Sequence, residues 1–233
     1  MRPRICVSLA AESPSDFPIL IRRAEKAEAD LIEIRLDYLN IDASDAAKTL
    51  RELIKEASVP MIATNRQYEQ GGHRLQDENS RIQVLIQAAE VGFEYIDIEL
   101  TVAEIESIVE KIRNSGAKLI VSFHDFEKTP SIQDMEKIIK SEIDVKAEIC
   151  KLVTTARNVE DNIKCLLLVR NMSRSTKIVC FAMGQKGLIS RVLSPIFGGY
   201  FTFASLKKSM KTASGQLSID ELKSLYGKLG VYE

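Results

Sequence analysis

The sequence predicts an α/β protein folded as a (β/α)8 TIM barrel. Eight short apolar segments alternate with eight amphipathic ones, no low-complexity linker interrupts them, and 233 residues with 45% hydrophobic content suffice for one large core. Eight consecutive strand-helix units in about this length close most economically into a barrel. A doubly wound open sheet is the alternative, but the GxGxxG phosphate turn expected after its first strand is absent. Residues 1–233 are expected to form a single domain.

The elements follow in order. The apolar run RICVSL predicts a strand at 4–9, and the amphipathic stretch 15–28 a helix with Asp16 as a first-turn acid. A strand at 31–37 is followed by a helix at 44–57 opening at Ser44, and the strand PMIATN at 60–65 by a helix at 79–91 that Gly92 should stop. The strand YIDIEL at 95–100 leads into a helix at 102–114, opened near Thr101 and stopped by Gly116. Strands at 118–123 and 144–152 precede helices at 131–141 and 158–171. Strands at 177–182 and 200–204 precede helices at 187–194 and 218–226, the last with Asp220 in its first turn.

Composition narrows the function. Lysine plus arginine total 32 against 33 acidic residues with no basic block, which argues against a nucleic-acid or membrane-surface footprint and favours a small-molecule partner. The N-terminal stretch MRPRICVSLAAES is too short in apolar residues for a secretory h-region, and no run approaches a membrane span, so a soluble, cytoplasmic protein is expected. Cys6, Cys150, Cys165 and Cys180 are scattered without CxxC spacing, which fits buried reduced thiols better than a zinc site or a structural disulfide.

Lys151 lies within the apolar run from Ile143 to Thr154, where a strand buried in a sheet would make an ammonium costly. Taken alone it fits a core ion pair or a snorkelling stem better than catalysis. Other strands change the balance. Glu33, Arg35 and Asp37 stand at period two and should share one face of one strand. Barrel active sites lie at the C-terminal ends of the strands. There Glu33 and Arg35 should meet Arg66 at the end of the third strand, His124 at the end of the fifth, Lys151 late in the sixth and Met183 at the end of the seventh. Each has a packing or ion-pair reading of its own; their convergence favours a site.

These residues carry a resemblance that spans nearly the whole chain. EIRLD at 33–37, TNR at 64–66, SFHDF at 122–126, Lys151 in EICKLVT, MGQKGLISR at 183–191 and SGQLS at 214–218 together resemble the type I 3-dehydroquinate dehydratase family. The resemblance implies the third step of the shikimate pathway, loss of water from 3-dehydroquinate through a lysine imine. It also implies a homodimeric barrel with no metal or organic cofactor. It assigns the imine to Lys151, proton transfer to His124 and the substrate carboxylate to Arg191. Glu33, Arg35 and Arg66 would hold hydroxyls, Met183 and Phe203 would form an apolar wall, and Thr212 and Gln216 would sit on a loop closing over the substrate.

The chemistry supports those assignments. An iminium withdraws electrons and turns the unstable carbanion beside a ketone into a neutral enamine. The attacking amine must be neutral, a state expected here from an apolar strand and neighbouring Arg or His groups. Two departures from the family pattern stand out. Gln70 precedes Gly71 and Gly72 where the family often has a glutamate partner for the catalytic histidine. A glutamine can orient the ring but cannot hold imidazolium by charge, and Glu69 is the other candidate. TASGQ at 212–216 replaces the more usual Ser-Ala-Pro-Gly-Gln, and Ser214 in place of proline should loosen that loop. A lysine-imine aldolase and a noncatalytic barrel are the competing classes. The carboxylate clamp, the lack of a phosphate-binding turn and the joint presence of Lys151 and His124 count against them.

Overall fold

The computed structural model describes residues 2–41 and 43–232. Its strands are β1 Ile5–Leu9, β2 Leu31–Arg35, β3 Met61–Thr64, β4 Tyr95–Glu99, β5 Lys118–His124, β6 Ile149–Thr155, β7 Lys177–Met183 and β8 Thr202–Ser205. Each is followed by a helix: α1 Phe17–Lys26, α2 Ala46–Lys55, α3 Glu78–Val91, α4 Ile105–Asn114, α5 Ile132–Asp144, α6 Glu160–Met172, α7 Leu188–Leu193 and α8 Ile219–Lys228. The strands are all parallel in the order β7-β6-β5-β4-β3-β2-β1-β8. Sequential neighbours with β8 returning beside β1 make a nearly closed barrel, and the doubly wound alternative falls. Between β7 and β8 no ladder forms among the described residues. The backbone bond from Tyr200 N to Ile178 O, 2.7 Å, lies at that seam.

Two layers place the core. Outward-facing strand residues such as Ile32, Ile34, Ile96 and Val121 pack under the helices. Inside the barrel Cys6, Leu31, Ile62, Tyr95, Ile120, Ile149, Val179 and Phe201 form an apolar floor. Two residues further along several strands the inward positions turn polar, as Ser8, Glu33, Thr64, Asp97, Ser122 and Lys151, all buried. Period-two alternation thus stacks a polar layer on an apolar plug, towards the C-terminal ends of the strands. Behind β6, Glu142 of α5 is fully buried and neither carboxylate oxygen has an aligned donor. Burial pushes its carboxyl well above the usual carboxylate range.

The structure moves some boundaries. Strand six begins at Ile149 instead of residue 144, because α5 runs to Asp144 and Lys146 takes the left-handed φ of +65° that ends it. Lys151 is therefore the third residue of a seven-residue strand and not late in it. Strand two stops at Arg35; Asp37 lies in a helical turn at Leu36–Tyr38 and is not on the strand face. Arg66 stands two residues beyond the end of β3. Helix α8 is capped by Ser218, whose side chain and that of Glu221 form a reciprocal capping box. Among the described residues no helix is long and apolar enough to cross a membrane.

Candidate active site

A cavity of about 410 Å³ opens at the C-terminal ends of the strands, and all ten residues singled out from the sequence line it: Glu33, Arg35, Arg66, His124, Lys151, Met183, Arg191, Phe203, Thr212 and Gln216. Lys151 stands on its floor. The Nζ atom lies 2.7 Å from Asp97 Oδ2, 3.9 Å from Glu33 Oε1 and 4.5 Å from the centre of the Phe203 ring. The amine is thus ion-paired, and the expected surroundings of apolar wall and cations are incomplete without Asp97. Glu33 is held from two sides, by the Ser8 hydroxyl and by Thr64 Oγ1 at 2.9 Å.

Asp97 bridges two cations. Its Oδ1 lies 2.8 Å from Arg66 Nη2 and accepts from Ser122 Oγ at 2.7 Å. Burial alone would raise this carboxyl, but Arg66 and then Lys151 outweigh it and hold it below the usual carboxylate range. Arg66 also donates to Glu99 Oε1 at 2.8 Å, and Glu99 meets Arg81 of α3. Arg35 is engaged in a bidentate pair with Asp37, at 2.8 and 2.6 Å, and donates to the Gly71 carbonyl at 3.2 Å. Gly71 has φ +86°, and a Cβ there would lie 2.6 Å from the Phe126 ring.

His124 closes β5 with its partner resolved. Gln70 Oε1 accepts from the His124 backbone N at 3.1 Å and lies 3.4 Å from His124 Nδ1, while Gln70 Nε2 donates to Thr101 Oγ1 at 2.7 Å. Glu69 is exposed and plays no part in that arrangement. With Nε2 of the amide committed to Thr101, its oxygen faces the ring, so Nδ1 carries the proton and imidazole Nε2 is the free base. Burial, then the charges of Arg66 and Lys151, pushes the imidazole well below the ordinary histidine value.

Arg191 has a different environment. Its guanidinium lies 4.2 Å over the Phe181 ring and donates to the Ser214 carbonyl at 3.4 Å, and its Nε has no partner. Among the described residues no carboxylate pairs with it. Burial pushes it down to about 10, which still leaves it charged at neutral pH. A buried, unneutralised fork is a socket for an anionic ligand. The loop carrying Thr212 and Gln216 folds over this end: Gln216 Oε1 accepts from Thr212 N at 2.9 Å, and Gly184 N donates to Ser214 O at 3.4 Å. Gln216 thus braces its own loop as well as lining the cavity.

Asp97, Glu99 and Ser122 escaped the reading of the sequence. For Asp97 and Glu99 the signal is there: YIDIE at 95–99 sets two ionisable residues two apart among apolar ones, as LIEIR at 31–35 does with Glu33 and Arg35. Among the described residues no group of three or more His, Cys, Asp or Glu side chains is arranged to hold a metal.

Comparison with known proteins gives a consistent answer. The sequence profile of the family described as "Type I 3-dehydroquinase" matches residues 5–233. A 3-dehydroquinate dehydratase of Methanothermobacter thermautotrophicus is 33% identical over 229 residues, 98% of each chain. A bifunctional 3-dehydroquinate dehydratase/shikimate dehydrogenase of Arabidopsis thaliana is 37% identical over 224 residues, 95% of this chain but only 36% of that one. Among solved structures, a type I 3-dehydroquinate dehydratase from Clostridium difficile with covalent modified comenic acid superposes with a TM-score of 0.89 at 26% identity, covering 98% of this chain and 92% of that one.

Proposed function

This chain belongs to the type I 3-dehydroquinase family, and on that premise we propose that it removes water from 3-dehydroquinate to give 3-dehydroshikimate, the third step of the shikimate pathway, through an imine on Lys151. The observation that carries the reading is one cavity holding both a lysine amine on an apolar floor and the unneutralised guanidinium of Arg191. A substrate with a ketone at one end and a carboxylate at the other satisfies both. That the Clostridium difficile relative was solved with covalent modified comenic acid is in keeping with covalent chemistry in this family. The whole chain acts as one catalytic domain.

In this mechanism Lys151 gives up a proton and its nitrogen attacks the ketone carbon; the carbinolamine loses its oxygen as water to form an iminium. His124 Nε2 takes a proton from the adjacent methylene, and the electrons of that C–H bond run into the iminium to give an enamine. The enamine then expels the neighbouring hydroxyl, which leaves as water with the proton returned by His124. Water hydrolyses the conjugated imine and frees the Lys151 amine. Arg191 holds the carboxylate bidentately, Glu33, Arg35 and Arg66 position the hydroxyls, Met183 and Phe203 form the apolar wall, and the Thr212–Gln216 loop excludes water. Asp97 joins this set as the group holding the Lys151 amine in place before attack.

The second copy of a homodimer has a face to occupy. Val159, Ile163 and Leu167 repeat every four residues on α6 and just before it, and are exposed, as are Ile189, Ile196 and Phe197 in and after the adjoining α7. The deciding experiment is borohydride reduction in the presence of 3-dehydroquinate with peptide mass mapping. One substrate-derived mass on the Lys151 peptide, and none in Lys151→Ala, is the expected result. A label on another lysine, or turnover in the alanine variant, overturns the mechanism.

A further inference from the structure

Six charges alternate in one line from the cavity to the outside of the barrel. Lys151 meets Asp97 at 2.7 Å, Asp97 meets Arg66 at 2.8 Å, Arg66 meets Glu99 at 2.8 Å, and Glu99 Oε2 meets Arg81 at 2.9 Å. Arg81 then forks onto Glu78, whose carboxylate is at the surface, with two bonds of 2.8 Å. Arg81 is only 2% exposed although it belongs to the outer helix α3, and it also donates to the Asn65 carbonyl one residue before Arg66. Its N–H to Asn65 leaves Glu99 Oε2 in an ion pair without an aligned hydrogen bond. The attraction there is carried by charge more than by donor geometry.

With Glu33, 3.9 Å from Lys151, counted in, the buried charges balance: Glu33, Asp97 and Glu99 against Lys151, Arg66 and Arg81, three of each sign. Around Lys151 stand Glu33 from β2, Asp97 from β4, Arg66 after β3 and His124 from β5, and Arg191 from α7 lines the same cavity. The Cys6 thiol of β1 and the Glu142 acid behind the strand are held uncharged by burial. Arg81 is the member of the balance farthest along the line from the amine. Without it Glu99 has Arg66 as its remaining partner, Arg66 is drawn from Asp97, and one unbalanced negative charge stays in the barrel wall.

We infer that Arg81 is a positioning residue that sets the protonation of Lys151 through Glu99, Arg66 and Asp97. The inference rests on the imine role given to Lys151 above. The charge of Arg81 is what matters, and the shape of its fork matters less.

The test reads the amine without the substrate. Formaldehyde with cyanoborohydride methylates only a neutral amine, so the pH dependence of labelling at Lys151, followed by peptide mass spectrometry, gives the midpoint of its deprotonation. Arg81→Met should raise that midpoint by about one pH unit, and Arg81→Lys, which restores the charge, should return it close to the wild-type position. Glu99→Gln should move it the other way. A midpoint in Arg81→Met within about 0.2 units of wild type overturns the inference, as does a lysine variant that shifts as far as the methionine one. If Arg81→Met does not fold, Glu99→Gln decides alone: no downward shift overturns the inference. With 3-dehydroquinate, kcat/KM of Arg81→Met should drop more at acidic than at alkaline pH. A wild-type protein that fails to dehydrate 3-dehydroquinate refutes the proposed function and leaves the labelling result standing.

Discussion

Gln70 Oε1 accepts from the backbone N of His124 at 3.1 Å and faces its Nδ1 at 3.4 Å, so a neutral carboxamide orients the ring. Gln70→Glu would place a carboxylate at the same distance. Imidazolium would then be stabilised, and the acidic limb of kcat/KM should move to higher pH by about one unit or more. An unchanged limb in a folded variant removes His124 from the group that the profile reports.

The unneutralised Arg191 guanidinium gives a graded expectation. Arg191→Lys keeps the charge and loses the fork, and Arg191→Ala loses both, so efficiency should fall in that order. Removing a charged hydrogen bond to a buried partner typically costs about 2–5 kcal/mol, or roughly 30-fold to several thousandfold in kcat/KM. Wild-type efficiency in the alanine enzyme would place the carboxylate at Arg35 or Arg66 instead.

Gly215 has φ +74°, and a Cβ there would stand 2.4 Å from the Gly184 carbonyl oxygen. Gly215→Ala should push the loop off Gly184 and Arg191 and raise KM several-fold, with a smaller change in Tm. Steady-state kinetics beside thermal denaturation check this; an unaltered KM shows that closure does not depend on that contact.

Glu142 makes a stability prediction with a definite sign. Its carboxyl is raised in the folded state, so its contribution is fully present below about pH 4.5 and is lost as pH rises towards the folded value. Glu142→Gln never ionises. Its Tm should match wild type near pH 4 and exceed it at pH 8 by roughly 2–4 °C for each pKa unit of the shift. Calorimetry at the two pH values settles it, and an equal difference at both contradicts the burial of an acid as its cause.

Much of this site is legible in the sequence because inward strand positions recur every two residues. Glu33, Arg35, His124 and Lys151 are conspicuous among apolar neighbours, and Arg191 stands out through its motif. Asp97 and Glu99 follow the same rule but sit among other acids, and only the closing of the barrel brings Asp97 to Lys151. The start of β6 is hidden for a local reason. Lys146 ends α5 in a conformation that usually advertises itself as glycine, so Val145 and Ala147 read as strand. The partner of His124 needed the structure as well, since Glu69 and Gln70 differ by one position and by which of them turns inward at the end of a helical turn.

The missing ladder between β7 and β8 gives the ligand a mechanical part to play. Arg191 belongs to the helix after β7, and Thr212 and Gln216 to the segment after β8, so a carboxylate bound as proposed would straddle the one join between neighbouring strands that has no ladder among the described residues. Such a carboxylate would act there as a buckle on a belt, tying two ends that no strand ladder joins. Amide hydrogens along the facing edges of β7 and β8 should exchange fastest among the strands in the free protein and slow most on binding. Part of the affinity would then go into fastening the barrel itself, and a stiffer seam would bind the same anion more tightly.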